Sequence, residues 1–277
     1  PLTLPPRRAQ QWAVAAVAGV VFSYPMWSFA AFGSTISVGP FESTYEVTLV
    51  VTGLAAFALG QRGRVGLTLR ERRPLGSGVY EYRFDADRPV RFTPGQYLEL
   101  HVPHGRADSR GARRALSIAS PPGPEVCVAI REPEDASSFK KTLAALPEGT
   151  RLAATGVSGD FLLPRDPGKG VLLIASGIGV TPFMSQLRAD GSERDVRLVH
   201  HVRAGEVQPY AEEIAALDLE SHVVSGDLPG WDDLAALVPD LAERVVYVSG
   251  SPASVDAVRR ELRGRVRRIR TDRFLGY

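Results

Sequence analysis

Two groups of residues in this chain are spaced for cofactor chemistry. The first is Arg113-Arg114-Ala115-Leu116-Ser117-Ile118-Ala119-Ser120. A guanidinium at Arg113 or Arg114 can fork onto a phosphate, and the Ser117 hydroxyl can bond the polar edge of a flat ring such as a flavin. Strand alternation would turn Leu116 and Ile118 away from Ser117. The same residues equally suit an ordinary strand with solvent-facing Arg and Ser. The second group is Ser176-Gly177-Ile178-Gly179-Val180-Thr181-Pro182, directly behind the apolar run 171–175. A continuous apolar run reads as a strand buried on both faces. Thr181 then suits a helix cap and Pro182 a first helical turn, with the helix ending near residue 188. Strand, glycine turn and helix start together make an anion site, with Gly177 and Gly179 admitting the pyrophosphate of a nicotinamide nucleotide. The spacing differs from GxGxxG.

The segments around these groups must hold them in place. Between 64 and 164, alternating runs at 65–69, 79–84, 97–102 and 126–130 are separated by Gly and Pro, which reads as antiparallel strands. Such strands favour a small barrel that has no open edge and offers one mouth to a ligand. Gly156 and Gly159, shortly before Phe161, supply two permissive backbone positions at a turn close to that ligand. Further on, strands at 171–175, 196–202 and 245–248 alternate with helical stretches at 210–217 and 254–262. That order implies a doubly wound α/β domain with its ligand across the carboxyl ends of the strands. The glycine turn, Arg203 and Ser249-Gly250 fall on that edge, with Arg203 expected at the adenine ribose. The expected domains are 1–62, 63–166 and 167–277.

Residues 12–32 contain no charge, enough to cross a bilayer as a helix, and a shorter apolar run occupies 47–59. Arg7 and Arg8 precede the first, and Arg62, Arg64, Arg70, Arg72 and Arg73 follow the second, whereas 33–46 has two Glu and no Lys or Arg. This pattern predicts a transmembrane helical hairpin, with helices at about 11–32 and 45–60, in the cell membrane and with everything after it in the cytoplasm. A buried hairpin of a soluble protein, or a signal peptide, is the plainer reading. Neither run contains His, so neither supplies paired ligands to a membrane haem. The chain starts with Pro, as expected of a piece of something longer.

The formal net charge is +2, too balanced for a nucleic-acid binder, and the single cysteine, Cys127, removes disulfide frameworks, iron–sulfur clusters and cysteine-based zinc sites. No metal site is expected: His101 and His104 fall on opposite faces, and His200-His201 read as packed imidazoles. Eight Arg between Arg259 and Arg273 could meet an acidic partner or lipid headgroups, or form a solvated face.

With both groups in view, residues 64–277 resemble the ferredoxin-NADP reductase superfamily. Its flavin signature, Arg-x-Tyr-Ser/Thr with a further Ser or Thr, is represented by Arg114, Leu116, Ser117 and Ser120. Its Gly-x-Gly-x-x-Pro turn is represented by Gly177, Gly179 and Pro182. The closing Asp272-Arg273-Phe274-Leu275-Gly276-Tyr277 adds a terminal aromatic of the kind that covers the flavin. The stretches Pro103-His104-Gly105-Arg106-Ala107-Asp108-Ser109-Arg110-Gly111, Ser137-Ser138-Phe139-Lys140-Lys141 and Gly159-Asp160-Phe161 resemble a bacterial subgroup whose reductase follows an RnfD-like membrane part. Leu116 departs from the family's Tyr, and Ser249-Gly250 stands where many members have Cys-Gly. The resemblance implies FAD, with FMN the lesser option, and NAD(P)H as donor. It implies Arg114 on the flavin phosphate, Ser117 at the ring, Thr181 and Ser249 beside the nicotinamide, and Tyr277 shielding the flavin. Electrons would pass to a membrane acceptor such as quinone, haem or another flavin. The rival expectation is a membrane-bound sensory or scaffolding module with little turnover. An oxygenase reductase is disfavoured, because the chain lacks cysteines for an iron–sulfur domain.

Overall fold

The structure is a computed structural model that describes residues 64–105, 108, 111–190 and 194–274. The chain divides into two units, Pro1–Arg64 and Val65–Tyr277. The expected membrane hairpin and the segment 1–62 lie outside the described residues, as does Tyr277. No helix among the described residues is long and apolar enough to cross a membrane.

The second unit opens with six antiparallel strands: β1 (Val65–Gly76), β2 (Val79–Val90), β3 (Tyr97–His101), β4 (Arg113–Ser117), β5 (Gly123–Arg131) and β6 (Arg151–Ser158). Their order is β4-β3-β6-β1-β2-β5, and an Ile118–Val128 bridge draws the two outer strands together. The sheet thereby closes into the expected barrel and loses its open edges. Alternation drives this packing: in β3, Leu98 and Leu100 enter the core while Tyr97, Glu99 and His101 face outward. Helix α1 (Ser138–Ala144), capped by the Ser137 side chain, plugs the core with Phe139 and Leu143.

Five parallel strands follow: β7 (Val171–Ser176), β8 (Val196–Val202), β9 (Glu220–Ser225), β10 (Val245–Gly250) and β11 (Arg268–Arg273), ordered β11-β10-β7-β8-β9. Successive β7 residues serve different cores. Leu173 and Ala175 meet Phe183, Met184 and Leu187 of α2 (Thr181–Asp190) and Ile214 of α3 (Ala211–Ala215). Leu172 and Ile174 meet Leu234 of α4 (Trp231–Leu237) and Val255, Val258 and Leu262 of α5 (Pro252–Leu262). Helices thus cover both sheet faces, as in a doubly wound domain. The strand order reverses at β7, so the crevice for a ligand opens between β7 and β10.

Barrel and sheet share one core. Val79, Ala119, Cys127, Ala129 and Phe161 from the barrel side join the β7–α2 cluster. Helix α2 also carries the polar stitching: Ser185 Oγ donates to Ser120 O at 2.7 Å, Gln186 Nε2 to Phe161 O at 2.7 Å, and Arg188 Nη1 to Ala119 O at 2.8 Å. Arg188 also reaches Glu81, which is fully buried and paired with Arg73 and Arg83 as well. These contacts fix the angle between the barrel mouth and the parallel sheet.

Candidate functional site

The flavin-signature strand and the glycine turn meet. A cleft of about 250 Å³ is lined by Tyr97, Arg114, Leu116 and Ser117 from the barrel, and by Thr181, Asp272 and Phe274 from the α/β domain. Leu116 and Ser117 both line this cleft although alternation separates their directions, and Leu116 also leans on the barrel core. The Ser117 hydroxyl makes no hydrogen bond to another described residue. The Arg114 fork is engaged within the chain. Both Asp108 carboxylate oxygens accept from Nη2 at 2.8 Å, Gly111 O accepts from Nη1 at 2.8 Å, and the guanidinium lies 5.1 Å from the Phe139 ring centroid. One nitrogen, Nη2, thus holds both oxygens of a carboxylate, while Nη1 is engaged by the main-chain carbonyls of Gly111 and Arg113.

A second cleft, of about 400 Å³, follows the carboxyl edge of the parallel sheet and is lined by Ser176, Gly177, His201, Arg203, Ser251 and again Phe274. Phe274 is common to both clefts, and its backbone N–H donates to Gly250 O at 3.0 Å. Arg203 is 79% exposed and only 4.0 Å from Glu206, whereas Glu206 accepts both Arg131 Nη groups at 2.8 and 2.9 Å. That pair spans from β5 of the barrel to the loop after β8.

The glycine turn differs locally from the expectation. Residues Gly177–Val180 already form a 3₁₀ turn, and Thr181 is helical and buried. Its Oγ1 donates back to Ile178 O at 2.7 Å instead of capping α2, so Pro182 follows an established helical turn. Gly177 has φ +54, a left-handed conformation that favours glycine. Gly179 answers a different demand: a Cβ there would stand 2.2 Å from the Ser249 carbonyl oxygen. His200 supports the turn from beneath. Its Nε2–H donates to Gly177 O at 2.8 Å and its Nδ1 accepts from Gln208 at 3.2 Å. Burial lowers its pKa to about 4, against the opposing pull of the Gly177 bond, so the imidazole is neutral.

Ser249, next to the last residue of β10, is fully buried, and its Oγ has no hydrogen-bond partner among the described residues. Ser249 lines neither cleft: it sits behind the glycine turn, its carbonyl facing Gly179. Gly250 is held by Ser176, whose Cβ lies 2.9 Å from where a Gly250 side chain would begin. The remaining candidates sit further off. Ser120 is buried behind β5, its Oγ donating to Glu125 O and accepting from Cys127 N, each at 3.1 Å. Gly156 belongs to β6, inside the register shift between Tyr97 and Glu99, and a Cβ there would meet nothing within 4 Å. A Cβ at Gly159 would stand 3.2 Å from the Tyr97 ring, a cleft wall.

Sequence reasoning did not single out Tyr97, Arg131, Asp272, or Phe274 on its own. Phe274 and Asp272 do lie in the closing stretch that drew attention for its aromatic. Burial, reinforced by the Asp160 carboxylate, pushes the Asp272 pKa up to about 6. Because folding raises this value, ionised Asp272 opposes the fold: stability falls as pH rises from the ordinary carboxylate range through about 6. Asp272→Asn is expected to be the more stable protein at pH 7 by roughly 1–3 kcal/mol and equal to the parent near pH 4. Urea unfolding at the two pH values measures this, and equal curves at pH 7 would refute the assignment.

No protein-family model matches the sequence. A ferredoxin–NADP reductase B of Sorangium cellulosum is 32% identical over 200 residues, covering 65% of this chain and 80% of the relative. A flavohemoprotein of Deinococcus radiodurans is 29% identical over 204 residues, covering 71% of this chain and 48% of the relative. The chain spans about half the length of that protein and of an NADH oxidoreductase of Escherichia coli. Among solved structures, an Amycolatopsis cytochrome P450 reductase superposes with a TM-score of 0.63 at 26% identity, over 76% of this chain and 69% of its own. The chain belongs to the ferredoxin–NADP reductase-like superfamily of NAD(P)H-dependent, FAD-binding flavoprotein reductases.

Proposed function

We propose that this chain is a reductase that binds FAD at the barrel mouth and NAD(P)H along the carboxyl edge of the parallel sheet, and delivers electrons to a further acceptor. The observation that carries this reading is the joined cleft: Ser117 and Thr181 line one wall system, and Phe274 belongs to both clefts. FAD, when bound, accepts a hydride and can release its electrons singly. Arg114 exchanges Asp108 for the cofactor phosphate, Ser117 offers its hydroxyl to the ring edge, and Leu116 gives an apolar rim. Gly177 and Gly179 keep the turn short enough for a pyrophosphate to approach, and Pro182 lies in the first turn of α2 behind Thr181. Thr181 flanks the nicotinamide and Arg203 borders the coenzyme, while Ser249 and Gly250 back the turn and meet the ligand only when that turn shifts. Phe274 occupies the junction, so the coenzyme must move it, a gating step; Tyr277 would extend this cover.

The acceptor class includes a partner protein, as the relatives' names suggest, and a membrane-associated quinone, haem or flavin. The charge-free run 12–32 and the arginines around it support a membrane hairpin with the reductase domains on the cytoplasmic side, in keeping with the resemblance to reductases that follow an RnfD-like membrane part. Membranes washed at high pH should retain the full chain and release a version lacking residues 1–62.

The experiment for the reaction is spectroscopic. Purified protein should be yellow, yield FAD on denaturation, and bleach anaerobically with NADH or NADPH. A colourless protein that takes up neither FAD nor FMN would instead identify a sensory or scaffolding module.

A further inference from the structure

The amino edge of the parallel sheet carries another concave surface, which shares no lining residue with the joined clefts and ends at Asp160 and Arg270, two residues along β11 from Asp272. It has a volume of about 840 Å³ and is lined by Arg165 and Lys169 from the segment before β7, and by Arg267, Arg268 and Arg270 around the start of β11. Acidic groups are present too, but Asp195 and Asp240 are engaged: both accept from Arg244, at 3.0 and 2.8 Å, and Asp240 also accepts from Arg197 at 3.0 Å. Arg244, 3% exposed, is thereby neutralised as part of the floor. Asp160 and Glu243 are the other carboxylates on the lining.

The cations divide differently. Arg270 donates only to the Asp160 carbonyl, at 3.5 Å, and the side chains of Arg165, Lys169, Arg267 and Arg268 make no hydrogen bond or ion pair with a described residue. Like charges converging on one concave surface repel, and an anion relieves that repulsion while water only screens it. Several guanidinium forks suit a ligand with many oxygens around one centre, which describes phosphate better than carboxylate. We propose that this surface is an anion site for phosphate groups, distinct from the coenzyme cleft.

Its position limits its purpose. The parallel strands β7 and β10 each have six residues, so the two sheet edges are separated by roughly 20 Å at the usual rise per residue. Phosphate itself neither gives nor takes electrons, so a ligand held by the cations of this edge tethers the protein or modulates it. The phosphate could belong to an anionic lipid headgroup or to a soluble compound, and the experiment separates these sources.

Lys169 provides a site-resolved readout, because exposed Lys141 on α1 serves as an internal reference outside the cleft. The full chain, reconstituted in phosphatidylcholine vesicles, is acylated with an amine-reactive ester and both lysines are followed by mass spectrometry. The measurement is repeated with pyrophosphate added, and with phosphatidylglycerol mixed into the vesicles. Lys169, and not Lys141, should react roughly fivefold more slowly in at least one of these arms, as a largely occupied site requires. Protection by pyrophosphate identifies a soluble ligand, and protection by phosphatidylglycerol alone a headgroup. The double variant Arg267→Gln/Arg268→Gln should lose the protection. Arg259→Gln/Arg263→Gln, which removes the same charge from outside the cleft, should keep it. Absence of protection in both arms, or equal loss in the two double variants, overturns the proposal.

Discussion

Gly179→Ala is expected to abolish coenzyme-dependent reduction and to lower stability by about 3 kcal/mol or more, the upper range for overpacking a rigid site. The added Cβ would lie 2.2 Å from the Ser249 carbonyl oxygen and 2.8 Å from Gly250 Cα, both backbone atoms of β10. No rotamer change relieves that contact. The turn must move away from β10, which opens the crevice where β7 and β10 diverge and shifts Thr181 and Ser249 relative to each other. Gly156→Ala is the contrasting case. Its φ of +63 makes a side chain strained, but a Cβ meets nothing, so the cost should be about 1–2 kcal/mol with reduction preserved. Thermal unfolding and NADH or NADPH oxidation on the two variants check this; equal behaviour would show that Gly179 is not held by the contact with β10.

Glu81→Ala is expected to destabilise the Val65–Tyr277 unit by about 3–5 kcal/mol, because it strands buried guanidinium charge. Glu81 is fully buried, with Arg83 Nε at 2.8 Å, Arg73 Nη2 at 3.1 Å and Arg188 Nη2 at 3.1 Å. Burial by itself raises the Glu81 pKa, but the charge of Arg188, then Arg83 and Arg73, outweighs it, and the net value is lowered. A lowered carboxylate pKa contributes stability above the unfolded value, and that contribution is lost as pH falls through the folded one. The gap between the parent and Glu81→Gln should therefore be wide at pH 7 and close progressively in acid below the ordinary glutamate range. Denaturant midpoints across that series measure it, and a gap independent of pH would mean that Glu81 contributes by packing alone. Since Arg188 belongs to α2 and Glu81 to the barrel, the same variants should also loosen the joint that aligns the two clefts.

Both halves of the joined cleft were legible because each rests on a local pattern. The 171–175 run has no polar alternation, and the flanking glycines mark a turn wherever they occur, so the parallel strand and its turn followed directly. Thr181-Pro182 misled on the helix start, since a cap followed by Pro is a real helix signal; here Gly177–Val180 had already begun the helical turn. Ser120 was expected at the flavin, but three residues beyond Ser117 the chain has passed the Ile118–Val128 bridge and turned behind β5. Phe274 and Asp272 owe their roles to β11, an arginine-rich edge strand whose pairing with β10 is non-local and leaves no periodic trace. The α2 stitching to Ser120 and Phe161 was likewise invisible, because it joins residues 65 and 25 positions apart.

Direct contact between the two cofactor rings is best tested with NADH or NADPH deuterated at either face of C4, in anaerobic single turnover at saturating coenzyme. The loss of flavin absorbance should slow for one of the two labels, because the C–H bond on the face turned toward the flavin is broken in the observed step. Bleaching at the same rate with both labels as with unlabelled coenzyme, or no bleaching of FAD-loaded protein, would mean that the two clefts do not bring their ligands together.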